Sequence, residues 1–228
     1  MATRAAAGGG RWVDVDPARL PRWLDNFATR HAAAAADPPP VTIARFRAIP
    51  TGDGVTTTAP DGCVAELYWP PGAQPGDDFV AIAQEPRRIG LLLARQAAVA
   101  VGIATGASLE VSKVDSSYVQ GRTAAGGWSQ QRFARRRTNQ AKAAAADASD
   151  LVVRLLLPQV GTLATVVTGG DRRAVEAVLA DPRLSPVRAL RDERFLEVAE
   201  PRRAVLEQAV AGARAVRIRI LDAGHPSR

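Results

Sequence analysis

One cysteine, Cys63, stands in a chain of 228 residues, which excludes an internal disulfide and any zinc site built from several thiolates. Histidine is nearly as scarce, and His31 and His225 make no histidine-rich metal cluster. No apolar run approaches the roughly 20 residues that cross a bilayer as a helix, and the Ala/Gly-rich start lacks the apolar block of a signal peptide. These absences fit a reducing cytoplasm, away from any membrane; a monomer without metal or cofactor is expected as well. What is present is a hydrophobic fraction of 46%, enough for one large core or two modest ones, and a formal net charge of +7 with a sequence pI near 10.8.

Much of that charge is concentrated. Between Gly121 and Ala146 the chain carries Arg122, Arg132, Arg135, Arg136, Arg137 and Lys142, with no carboxylate until Asp147. One-signed basic segments meet phosphate. Gly121, Gly126 and Gly127 break regular structure, whereas Arg132 to Arg137 and the alanines beyond favour a helix. The segment Gly126-Gly127-Trp128-Ser129-Gln130-Gln131 therefore reads as a glycine-stemmed loop opening into an arginine-dense helix. Glutamine has no titratable group, so such a loop cannot work as a general acid or base; its carboxamide can hold a water against an electrophile or donate to a developing oxyanion.

The run from Gly126 to Arg137, with Asn139 and Gln140, resembles the bacterial branch of the Vms-type release-factor-like (VLRF) family, related to the catalytic domain of eukaryotic class-one peptide-release factors. Known members are peptidyl-tRNA hydrolases of ribosome quality control. Release factors carry Gly-Gly-Gln without interruption, whereas here Trp128 and Ser129 separate the glycines from Gln130 and Gln131. The resemblance implies hydrolysis of the ester joining a nascent peptide to tRNA, with Gln130 positioning the water and Gln131 as the alternative. Ser129 would donate to the same water. Gly126 and Gly127 would let the loop thread a narrow ribosomal cavity. Trp128 would stack on a nucleobase, and Arg122, Arg132, Arg135, Arg136, Arg137 and Lys142 would pair with ribosomal RNA phosphates. The implied partners are the large ribosomal subunit, its RNA and peptidyl-tRNA.

In chain order, Met1 to Gly10 reads as a disordered leader and residues 11–75 as a small α+β domain. Arg11 to Val15 alternates like a strand, and Asp16 before Pro17 caps a helix running to about His31, with Leu20, Trp23, Leu24 and Phe27 on one buried face. An aromatic stripe at that spacing is read as core, not as a base-stacking surface. Three strands come next, Val41 to Ile49, Val55 to Thr58 and Cys63 to Trp69, with Cys63 as a small buried hydrophobe. Pro70 to Gly76 reads as a linker, with a catalytic domain over residues 76–228. There, strand-like runs at Phe79 to Gln84, Arg88 to Ala94, Ala97 to Ala104 and Ser108 to Val114 precede the loop. Ala148-Ser149-Asp150 reads as the cap of a second helix, stopped at Pro158. A strand at Thr162 to Thr168, a helix at Asp171 to Ala180, a strand at Phe195 to Val198, a helix at Pro201 to Ala211 and a strand at Ala213 to Leu221 alternate to the end. The expected class is α+β, α/β in its second half: a ribonuclease H-like mixed sheet beside the small N-terminal domain.

Two other functions are compatible with this reading. A ribonuclease H-like sheet can hold metal ions through converging carboxylates and cleave tRNA, with Glu110, Asp115 and Asp171 as candidates. A non-catalytic ribosome- or RNA-binding protein would use the arginine helix alone. Arg172, Arg173, Arg191, Arg194, Arg202 and Arg203 are interleaved with acids and read as a solvated surface.

Overall fold

The computed structural model describes residues 3–6, 8–32, 47–48, 54–95, 98–116 and 129–222, for 47–48 and 129–138 the backbone alone. The chain divides into two compact units, one of residues 1–85 with 214–228 and the other of residues 86–213.

The first unit is a six-stranded antiparallel sheet backed by helix. Its strands are β1 (Thr3–Ala5), β2 (Arg11–Val15), β3 (Arg47–Ala48), β4 (Gly54–Thr58), β5 (Val64–Tyr68) and, from the far end of the chain, β11 (Val216–Leu221), in the order β1-β2-β11-β5-β4-β3. Asp16 accepts from the Ala18 amide and starts a short 3₁₀ turn that passes into α1 (Leu20–Arg30). Leu20, Trp23, Leu24 and Phe27 form the buried stripe of α1 and meet Val13, Val15, Ala65, Leu67, Val216, Ile218 and Ile220. Trp23 and Phe27 stack on each other with ring centroids 5.4 Å apart, so both are core, as the spacing predicts. Cys63 is buried, and burial raises its thiol pKa. Gly10 adopts φ 78°, and a Cβ there would meet the Ile220 carbonyl oxygen at 2.2 Å, so only glycine fits the return from β1 to β2.

Three expectations change in this unit. Thr3–Ala5 pairs with Arg11–Val13 as a strand, so this part of the expected disordered leader extends the sheet. Phe79 to Gln84 is not a strand but the helix α2 (Phe79–Gln84): Asp78 accepts from the Ala81 amide as N-cap, and Phe79 and Ala83, four residues apart, share the buried face. The last strand, expected to close the second sheet, pairs antiparallel with β2 and β5 instead. Its alternation of Ile218 and Ile220 with Arg217 and Arg219 suits a sheet with one wet face, whereas strands β6 (Arg88–Arg95) and β7 (Ala98–Thr105) of the second sheet are buried on both. The expected strand Val41 to Ile49 coincides with described residues only at 47–48.

The second unit holds β6 (Arg88–Arg95), β7 (Ala98–Thr105), β8 (Ser108–Ser116), β9 (Thr165–Gly170) and β10 (Arg191–Leu196) in the order β10-β9-β6-β7-β8. β6, β7 and β8 are antiparallel neighbours, while β9 runs parallel to β6 and β10 parallel to β9. This order, with β7 alone reversed, is that of a ribonuclease H-like sheet. The α-helices are α3 (Ser129–Leu155), α4 (Arg172–Leu179), α5 (Ser185–Ala189) and α6 (Arg203–Arg214). Successive residues of β6 enter opposite cores. Leu92 and Ala94 pack with Ala148, Leu151, Val152, Val175 and Val178 of α3 and α4, and Ile89, Leu91 and Leu93 pack with Leu206, Ala209 and Val210 of α6. Burial on both faces explains the unbroken apolar runs of β6 and β7.

α3 is continuous where a second cap was expected. Ser149 does not interrupt it; its hydroxyl is directed to the carbonyls of Ala145 and Val178. Arg194, expected on a solvated surface, is 8% exposed and donates to the Gly212 carbonyl. Arg172 lies 4.2 Å from the centroid of the Phe195 ring, and Arg191 pairs with Glu176.

Candidate functional site

β8 is the edge strand of the second sheet and delivers the chain to Ser116; the description resumes at Ser129 with the first residue of α3. Tyr118, Gly121, Arg122, Gly126, Gly127 and Trp128 therefore lie outside the described residues. Ser129, Gln130 and Gln131, expected in the loop, have a helical backbone: the helix begins about one turn earlier than the arginines alone suggest. They form its first turn, where backbone N–H groups lack partners inside the helix and the helix dipole is positive. An oxyanion or phosphate approaching that end meets favourable field before any arginine is counted.

At 27 residues, α3 is roughly 40 Å long. Its packing begins late. Ala141, Ala144, Ala145 and Ala148 line a cavity of about 250 Å³ against α4, while Ala148, Leu151 and Val152 are buried. At about 100° per residue, positions 132, 135, 136 and 139 share one side of α3 and positions 141, 144, 148 and 152 the opposite side. Position 137 falls with the latter group. Lys142 is exposed.

The packed half of α3 is clamped. Besides the Ser149 bond, Asp150 and Asp181 each accept from Arg183 at 2.6 Å. The Arg183 side chain and amide together hold the Asp181 carboxyl below its usual range. At the opposite end of β6, Arg88 donates to Glu110 and Gln159 at 3.0 Å and also to Thr162. The Thr105 hydroxyl, then Arg88, lower the pKa of Glu110.

Of the carboxylates considered for a nuclease, Asp115 and Asp171 line the same cavity, with Asp147, whereas Glu110 does not line it. Glu110 is held by Thr105 and Arg88; Asp171 caps α4 by accepting from the Arg173 and Ala174 amides; Asp115 accepts from the Ser116 amide. Among the described residues no group of three or more His, Cys, Asp or Glu could hold a metal ion. Sequence reading noted Asp115, Asp171 and the alanine run separately and missed that they line one cavity.

The family model described as the Actinobacteria/chloroflexi VLRF1 release factor matches residues 87–219. The chain belongs to this family. No curated protein matches it. Among solved structures, it is similar to an archaeal translation termination factor, aRF1, at 18% identity and a TM-score of 0.41, covering 69% of this chain and 48% of that one. A second, an archaeal protein, is similar at 18% identity and a TM-score of 0.38, over 67% and 48% of the two chains. The chain thus spans about half the length of both. Among the described residues, no helix is long and apolar enough to cross a membrane.

Proposed function

We propose that this chain is a cytoplasmic, ribosome-associated peptidyl-tRNA hydrolase that frees nascent peptides from stalled ribosomal complexes. Family membership supports the coarser role, translation termination or ribosome rescue. The observation that carries the finer reading is the position of Gln130 and Gln131 in the first turn of a long helix anchored by its far half, directly after the glycine-rich segment. An aminoacyl ester is already activated, so holding a water in line supplies several kcal/mol of barrier lowering by orientation alone. A carboxamide can accept from that water while donating to the developing oxyanion. In this mechanism Gln130 is the positioning group and Gln131 the alternative, Ser129 donates to the water, and Gly126 and Gly127 give the segment passage between RNA walls. Trp128 stacks on a base. Arg122, Arg132, Arg135, Arg136, Arg137 and Lys142 neutralise phosphates.

The test is release of peptide from purified large-subunit-bound peptidyl-tRNA by wild type, Gln130→Ala and Gln131→Ala, with the length of the tRNA product followed. Loss of release in one variant, with intact tRNA from the wild type and ribosome binding retained, is expected. Shortened tRNA, or full release in both variants, overturns the proposal.

A further inference from the structure

The first unit precedes most of the family match, which begins at residue 87, and its sheet has a second face that the core does not use. Val13, Val15, Ala65, Leu67, Ile218 and Ile220 point to α1; the alternate residues point away. Strand register aligns those alternates in one row across all six strands, Arg4, Trp12, Arg219, Glu66, Thr56 and Arg47, and in a second row, Asp14, Arg217, Tyr68 and Gly54. Trp12 on β2 and Tyr68 on β5 flank β11 and meet above it, with ring centroids 5.3 Å apart and planes at 56°. The Arg217 guanidinium lies 5.8 Å from the Trp12 ring centroid. Arg219 is fixed on the other side by the Gly8 and Gly9 carbonyls, at 2.8 and 3.1 Å.

The face holds both ingredients of base-and-phosphate recognition. Two partly buried rings, tilted at 56° to each other, meet in its centre, with Arg4 at one edge and Arg217 and Arg219 in the middle. Its two acids are already engaged: Asp14 pairs with Arg4 and Arg217, and Glu66 with Arg219 and the Tyr68 hydroxyl. Among the described side chains, three arginines against two engaged carboxylates leave the face net positive, and each guanidinium has five N–H groups, so an ion pair leaves donors over for phosphate. A duplex buries its base faces in its own stack, and among the described residues this face offers no helix or ribbon to enter a groove; unpaired bases can lie on the rings.

We infer that the outer face of this sheet is a binding surface for single-stranded RNA, with bases stacked on Trp12 and Tyr68 and phosphates met by Arg4, Arg217 and Arg219. The surface belongs to the first unit alone and stands whether or not the second hydrolyses peptidyl-tRNA.

The experiment uses the full chain with Arg132, Arg135 and Arg136 replaced by alanine, so that the basic helix contributes little, and a fluorescein-labelled eight-nucleotide oligouridylate read by anisotropy at low salt. Trp12→Ala and Tyr68→Ala should each weaken binding by about tenfold, and Trp12→Phe should retain most of it. Ultraviolet cross-links should map to the peptides containing Trp12 and Tyr68. Thr56→Glu removes no packing yet places a negative charge in the row, and it should weaken binding even if a ring variant fails to fold. Undiminished binding in Thr56→Glu and in the folded ring variants overturns the inference. So does equal affinity for an RNA duplex, or an acidic peptide bound as tightly as the oligonucleotide.

Discussion

The hydroxyl of Ser149 in α3 reaches the main-chain carbonyl of Val178 in α4 at 2.9 Å, in a position only 2% exposed. It links the helix that starts with the glutamines to the helix that comes after β9. The Ala180 and Asp181 amides, the latter at 3.4 Å, also reach that carbonyl. Ser149→Ala should therefore cost about 1 kcal/mol in urea denaturation. Ser149→Val forces extra volume between two close helices and should cost about 1–3 kcal/mol. A wild-type midpoint for both variants would show that the bond does not set the spacing of α3 and α4.

Two glycines separate backbone need from mere tolerance. Gly170 has φ 102°, and a Cβ there would lie 2.3 Å from the Ala94 carbonyl oxygen; at Gly161 nothing lies within 4 Å. Gly170→Ala should destabilise by at least about 1–3 kcal/mol, whereas Gly161→Ala should be neutral or stabilise by up to about 1 kcal/mol through the unfolded chain. Thermal denaturation of the pair checks this, and similar midpoints would contradict it.

These local devices show where the sequence was readable. The α1 stripe, the Asp16-Pro17 start and the long apolar runs of β6 and β7 carry their own periodicity, so their form follows from spacing. Phe79 to Gln84 is too short and too uniformly apolar for period to separate strand from helix; Asp78 was the signal. Ser149-Asp150 looks like a cap, but bonds to Val178 and Arg183 keep both residues within α3. β11 was legible as a strand and not as a partner, because pairing across some 150 residues leaves no local trace. At the candidate site, composition marked the glycine-rich segment and the arginines. Helical structure at Ser129 to Gln131 was hidden, because the glycines just before these residues and the helix-favouring run from Arg132 onward pull in opposite directions.

Asp61 links the α1 end to the β4–β5 turn, accepting from the Cys63 amide and facing His31 Nδ1 at 2.8 Å. The amide first, and His31 after the opposing effect of desolvation, hold its carboxyl below the ordinary value of 3.8. A carboxyl depressed in the folded state contributes stability that is complete above its unfolded pKa and is lost as pH falls through the folded one. The stability of Asp61→Asn relative to wild type should therefore be lowered above about pH 4 and recover as pH falls below it. Urea midpoints from pH 2.5 to 7 measure this; a difference that is constant across the range would remove Asp61 from the acid limb.

The arginines of α3 are not equivalent. Positions 132, 135 and 136 lie within about 100° of one another around the helix axis, and position 137 falls about 140° from position 132, in phase with the alanines that face α4. If the first group meets ribosomal RNA, each phosphate neutralised adds roughly 0.7–0.9 to the slope of log affinity against log salt concentration. Replacing Arg132, Arg135 and Arg136 together by alanine should flatten that slope by about 2–3 for binding to large ribosomal subunits. Arg137→Ala should flatten it by less than any single member of the group. The glutamine variants should leave the slope unchanged, because a neutral side chain releases no counterion, even where they abolish peptide release. A slope that drops equally for Arg137 and Arg135 would mean that RNA wraps both sides of the helix, and a slope that drops for Gln130→Ala would mean that this substitution disturbs docking, not the attacking water.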